Sequence, residues 1–73
     1  MLARTIRILG IDPGLRRTGW GIIESDGVRL SYIASGVITS PKDDDLAYRL
    51  RALFEGIGGV IASFSPREAA VEE

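Results

Sequence analysis

One carboxylate in this chain, Asp12, stands where an acid has little structural reason to be, and a second, Glu72, could be brought beside it. Asp12 closes the apolar run Ile6-Arg7-Ile8-Leu9-Gly10-Ile11 and is followed at once by Pro13 and Gly14. A short run rich in β-branched residues reads as a strand buried on both faces. Pro13 lacks an N–H and holds Asp12 extended, and Gly14 lets the chain turn away, so the acid marks the strand's carboxyl end. In open α/β sheets that is the edge where ligands bind. Glu72 follows a second apolar triplet, Ala69-Ala70-Val71. If the two strands lie side by side, their backbones are about 4.8 Å apart and both acids leave the same sheet edge. Two carboxylates so placed can share Mg²⁺, a cation that takes oxygen ligands, and two-ion sites of that kind hydrolyse phosphodiesters. Each acid also has a plainer reading. Asp12 can be a turn former, and a terminal Glu72-Glu73 pair can be solvated surface.

Arg16 and Arg17 lie in the loop that leaves Asp12, where a guanidinium could reach a phosphate flanking one held by the acids; a solvated loop is the alternative. Trp20, between Gly19 and Gly21, could stack on a base but suits a core position. Asp43-Asp44-Asp45 is read as a helix N-terminal cap. A calcium loop would need alternating acids and a glycine in sixth place, and Tyr48 stands there.

The elements that must position these groups follow in order. Thr18 to Glu24 reads as a second strand, and Ser25-Asp26-Gly27 as a hairpin turn with Asp-Gly supplying positive φ. Val28 to Thr39 returns as a third strand, completing an antiparallel meander. Leu46, Leu50, Leu53, Phe54, Ile57, Val60, Ile61 and Phe64 recur at helical spacing, ending at Ser65-Pro66. Gly56, Gly58 and Gly59 weaken that helix by about 1 kcal/mol each, a cost accounted for if they let it sit close on the sheet. A strand from Glu68 to Glu72 would then join parallel to the first through a right-handed crossover. The fold class is therefore α/β: a mixed sheet of three antiparallel strands, a helix and a parallel strand.

Composition limits the alternatives. At 73 residues the chain is one small domain at most. A hydrophobic share of 45% and a mean hydropathy of +0.14 favour part of a packed core over a disordered linker. A net charge of −1 gives no bulk case for nucleic-acid binding. Eight of the nine basic residues are nonetheless arginine, the better bidentate phosphate ligand. Without cysteine there is no disulfide or thiolate metal site. No segment has the length of a membrane span or a signal peptide, so a cytoplasmic protein without membrane contact is expected.

Gly10-Ile-Asp-Pro-Gly-Leu-Arg-Arg-Thr-Gly-Trp-Gly-Ile-Ile23 resembles the opening of the RuvC family of Holliday-junction resolvases, which are ribonuclease H-like nucleases. Leu30 to Ile38 (L-S-Y-I-A-S-G-V-I), Asp44 to Leu50 (D-D-L-A-Y-R-L) and Ala70 to Glu72 (A-V-E) extend the similarity in the same order. The resemblance favours Glu72 over Glu73, because the family's acid directly follows the apolar residue matched by Val71. It implies catalytic and metal-binding roles for Asp12 and Glu72, with two Mg²⁺ ions (or Mn²⁺) per complete site and Asp12 bridging them. It implies four-way junction DNA as substrate, a homodimer when complete, and a branch-migration helicase complex as partner. In the family the sheet has five strands and four carboxylates build the site, the last two on a helix near the C-terminus. Residues 1–73 are therefore expected to be the N-terminal part of one such nuclease domain, inactive alone. Apolar surface at Ile8, Ile11 and Ile22 is expected to stay exposed on an uncovered sheet face. Two rivals remain: the related ribosomal-RNA-processing nucleases, which share the Asp-Pro-Gly turn, and an actin-like ATPase domain. The first lacks the later segments, and the second favours Gly-Thr-Thr where Leu15-Arg16-Arg17 stands.

Overall fold

In a computed structural model, residues 5–14, 16–40 and 45–72 are described. They form β1 (Ile6–Asp12), β2 (Arg17–Ser25), β3 (Leu30–Thr39), α1 (Leu46–Phe64) and β4 (Glu68–Val71). One mixed sheet has the order β3-β2-β1-β4. The β1–β2 and β2–β3 pairs are antiparallel, and β4 joins β1 in parallel after the crossover through α1.

Side-chain alternation divides the sheet. Leu9 pairs with Ile22 and Ile11 with Trp20, and these residues face α1. Leu9, Ile22 and Val60 are buried, with Ile11, Trp20, Ile33, Ile57 and Phe64 packed around them. The Trp20 and Phe64 ring centroids are 5.8 Å apart with the planes tilted by 45°, a favourable aromatic geometry. Trp20 is thus a core residue. The expectation that Ile11 and Ile22 line an uncovered face is corrected: they belong to the face under α1. The apolar residues opposite are Ile8, Ile23, Tyr32 and Val37, as the registers Ile8↔Ile23, Ile23↔Tyr32 and Gly19↔Val37 require.

The register of β2 against β3 shifts between Ile22 and Ile23, which pair with Ala34 and Tyr32. Ile33 is the extra residue of this bulge, and it packs against the core. The preceding loop differs from a two-residue turn. Gly27 has positive φ (94°), but Asp26 acts through its side chain, accepting from Val28 N–H at 2.8 Å and Arg29 N–H at 2.7 Å.

α1 has the bounds its apolar spacing predicts. Asp45 caps it by accepting from the Tyr48 N–H at 2.8 Å, while Asp43 and Asp44 lie outside the described residues. At the other end Ser65 is left-handed (φ 49°), and its N–H donates to the Ile61 carbonyl at 2.9 Å. The three helix glycines differ in role. A Cβ on Gly56 would stand 2.8 Å from Ile38 Cδ1, so only glycine allows that approach to β3; at Gly58 and Gly59 a Cβ would meet nothing within 4 Å.

Candidate active site

Arg7 connects α1 to the strand that carries Asp12. Its Nε donates to Glu24 Oε2 at 3.1 Å on β2, and its Nη1 donates to the Phe64 carbonyl at 3.1 Å. A cation at a helix C-terminus also complements the macrodipole. The ion pair is about one-third exposed on each side, so it contributes about 1 kcal/mol or less. Independently of that pair, the Arg7 carbonyl accepts from the Arg67 N–H at 2.8 Å, opening the ladder between β1 and β4.

That ladder runs Ile8↔Glu68, Leu9↔Ala69, Gly10↔Ala70 and Ile11↔Val71. It continues one residue past β4, where the Glu72 N–H donates to the Ile11 carbonyl at 2.9 Å. Asp12 and Glu72 therefore follow paired residues of neighbouring parallel strands, at the same sheet edge and on the same face, the one opposite α1. Both are exposed. They line one cleft of about 490 Å³ with Gly10, Gly19, Gly21 and Ala70 among its walls. Asp12 pairs with Gly19 across β1 and β2. A Cβ at Gly19 would touch Asp12 Cβ at 3.9 Å, so the missing side chain leaves room on that flank of the acid.

The donor set suits a hard cation. Among the described residues no group of three or more His, Cys, Asp and Glu side chains converges, so these residues offer a carboxylate pair and no all-protein cage. Mg²⁺ is commonly held in that way, by one or two carboxylates, with water and substrate phosphate completing its shell.

Arg16 and Arg17 are exposed and share a second cleft, of about 460 Å³, with Gly14 and Arg49. The Ser40 N–H fixes this loop by donating to the Arg16 carbonyl at 3.1 Å. Gly14 is required because a Cβ there would collide with the Arg17 carbonyl. Arg49 is the residue that reading the sequence missed. It lies 32 positions beyond Arg17 in α1, and only the packing of α1 brings it to the loop.

A three-stranded meander, a crossover helix and a parallel fourth strand, with acids at two adjacent strand ends, define a ribonuclease H-like α/β protein. A solved structure of Thermus thermophilus RuvC superposes with a TM-score of 0.78 at 25% identity, covering 93% of this chain and 45% of that one. A structure of the Aquifex aeolicus PPX-GPPA enzyme shares the fold at a TM-score of 0.66 and 13% identity, covering 93% of this chain. The profile of the family described as "Crossover junction endodeoxyribonuclease RuvC" matches residues 8–73. Relatives of that name in Rhizobium johnstonii and Sinorhizobium medicae are 57% and 62% identical over 99% and 93% of this chain, and 43% and 41% of their own lengths. The chain belongs to the RuvC family, and it spans about two fifths of the length of these relatives.

Proposed function

We propose that residues 1–73 form the N-terminal part of one nuclease domain of a metal-dependent endodeoxyribonuclease that resolves four-way DNA junctions. The observation that carries this reading is the parallel β1–β4 ladder, which sets Asp12 and Glu72 side by side at one sheet edge. Asp12 and Glu72 would hold Mg²⁺, or Mn²⁺ in its place, through their carboxylate oxygens. The bound ions supply charge neutralisation at the phosphate and an activated water for in-line attack. Asp12 contributes fixed negative charge at the end of a strand paired on both sides, so its backbone does not reorganise as substrate enters. Glu72 has less support, since β4 has a paired neighbour only in β1 among the described residues. Arg16 and Arg17 contact phosphates flanking the scissile one and orient the strand without reading bases. Further carboxylates, a second protomer for the paired nick and a branch-migration helicase complete the assembly in a cytoplasmic setting.

The test uses a polypeptide of the relatives' length that carries this sequence. It is incubated with a four-way junction, a linear duplex and a ribosomal-RNA precursor, with Mg²⁺ or with chelator, and ATP hydrolysis is followed in parallel. Mg²⁺-dependent nicking of the junction in preference to duplex is expected, leaving a 5′-phosphate. Cutting confined to RNA, or ATP hydrolysis without nicking, overturns the reading in favour of one of its rivals.

A further inference from the structure

Asp12, Arg16 and Arg17 flank one short loop, and its two ends are held unequally. On the β2 side Arg17 pairs with Thr39, and the Ser40 N–H donates to the Arg16 carbonyl at 3.1 Å. On the β1 side Asp12 is the last residue of the ladder, paired with Gly19. Pro13 after it has no N–H to extend the pairing. The two halves meet inside the loop, where Gly14 passes so near the Arg17 carbonyl that a Cβ would collide with its oxygen. Gly27 alone among the described glycines has positive φ. The backbone at Gly14 therefore admits an L-residue, and the close approach by itself excludes one.

No rotamer relieves that collision, because the obstructing atom belongs to the backbone. Arg17 is held by β3, so the other half must yield. Asp12, Pro13 and Gly14 are exposed, and nothing on the solvent side opposes their movement outward. A shift of about 1 Å restores ordinary contact. Misplacement by that much can cost about 100-fold in rate.

Building on the nuclease reading above, we propose that the closure of Gly14 on Arg17 is a fixed spacer between the metal-holding carboxylate and the phosphate-contacting arginines. Gly14 is then a positioning residue for Asp12. It sets where a phosphate held at Asp12 and Glu72 lies relative to the flanking phosphates at Arg16 and Arg17, without touching the reacting atoms.

The test compares the wild-type protein of the relatives' length with Gly14→Ala. Mn²⁺ binding is followed without DNA by loss of the free ion's electron paramagnetic resonance signal, and junction cleavage is measured separately. Gly14→Ala should weaken Mn²⁺ binding about 10-fold or more, the usual effect of losing a group that orients a metal ligand, and slow cleavage by about 100-fold. Mn²⁺ affinity and cleavage both within threefold of wild type overturn the proposal. So does a loss of Mn²⁺ binding that only follows the unfolded fraction seen by near-ultraviolet circular dichroism. If Gly14→Ala does not fold, Ser40→Pro decides. It deletes the N–H that holds the Arg16 carbonyl and adds no Cβ to the loop; weaker Mn²⁺ binding in the folded variant is expected, and wild-type affinity overturns the spacer. If the wild-type protein binds Mn²⁺ yet nicks no junction, the nuclease reading has failed, and the Mn²⁺ comparison still decides whether Gly14 positions Asp12.

Discussion

The Glu72 N–H donates to the Ile11 carbonyl at 2.9 Å, so the residue after β4 is anchored to the residue before Asp12. The bond extends the parallel ladder past the strand proper and fixes Glu72 against β1. Two acids brought together by backbone pairing keep their spacing when their side chains are changed. Substitutions at Asp12 and Glu72 therefore test charge and not folding.

In the relatives'-length protein, Asp12→Asn and Glu72→Gln should each reduce junction cleavage at least about 100-fold. Loss of groups that only support a metal ligand already costs about 10–100-fold. Junction binding and the melting temperature should stay near wild type. Cleavage by Asp12→Asn within threefold of wild type at ordinary Mg²⁺ would reduce Asp12 to a turn residue.

Glycine substitutions should separate close approach from empty space. A Cβ on Gly36 would lie 2.8 Å from Trp20 Cζ2, and one on Gly56 2.8 Å from Ile38 Cδ1. Gly36→Ala and Gly56→Ala should each destabilise by about 1–3 kcal/mol through overpacking. Gly58→Ala and Gly59→Ala meet nothing within 4 Å and should stabilise α1 by up to about 1 kcal/mol each. Chemical denaturation of the four variants checks the order. A stabilised Gly56→Ala would show that α1 does not rest on Ile38.

These glycines show how far the sequence could be read. The ends of α1 were legible because eight apolar residues kept one period between a capping acid and Ser-Pro. Which of three glycines touched the sheet was not, since that depends on where Ile38 lies across the interface. The strands were legible as apolar runs, but the side facing α1 was not, because β1 is apolar on both faces and period alone does not choose between them. The bulge at Ile33 leaves no glycine or proline as a signal. Asp12 could be singled out by the proline and glycine after it. Glu72 needed the family resemblance, and Arg49 could be found only through the packing of α1.

The Asp26 loop should respond to acid. Backbone N–H donors, Arg29 first and then Val28, hold its carboxyl below the ordinary value of 3.8. A group whose folded value is depressed adds stability that is present above its unfolded value and lost as pH falls through the folded one. The loop's contribution should therefore fade below about pH 3.8. Asp26→Asn keeps an acceptor and should remove that pH dependence. Titration of the Asp26 carboxyl carbon by NMR checks the direction; a midpoint at or above 3.8 would contradict it.

The last prediction concerns the 73-residue polypeptide by itself. On the sheet face opposite α1, Leu30 is 70%, Tyr32 72% and Val37 50% exposed, and no described element covers them. On α1, the sheet takes up Ile57, Val60 and Phe64, while Leu50, Phe54 and Ile61 stay exposed along a second stripe. β4 adds an outer strand whose four residues are all exposed, with the bonding groups of one side unpaired among the described residues. Bare edges and contiguous apolar patches both promote association. Among the described residues only three hydrophobic side chains are buried, too few to oppose their conformational entropy comfortably. Purified alone, the polypeptide should associate or remain partly folded, with no nuclease activity above background. Added in trans, or fused to the chain, the C-terminal three fifths of such a longer relative should restore a discrete species. Sedimentation velocity across a concentration series, with near-ultraviolet circular dichroism reporting on Trp20, gives the answer. A concentration-independent monomer with a cooperative melt and a rigid Trp20 signal would show that the exposed faces are tolerated without a cover.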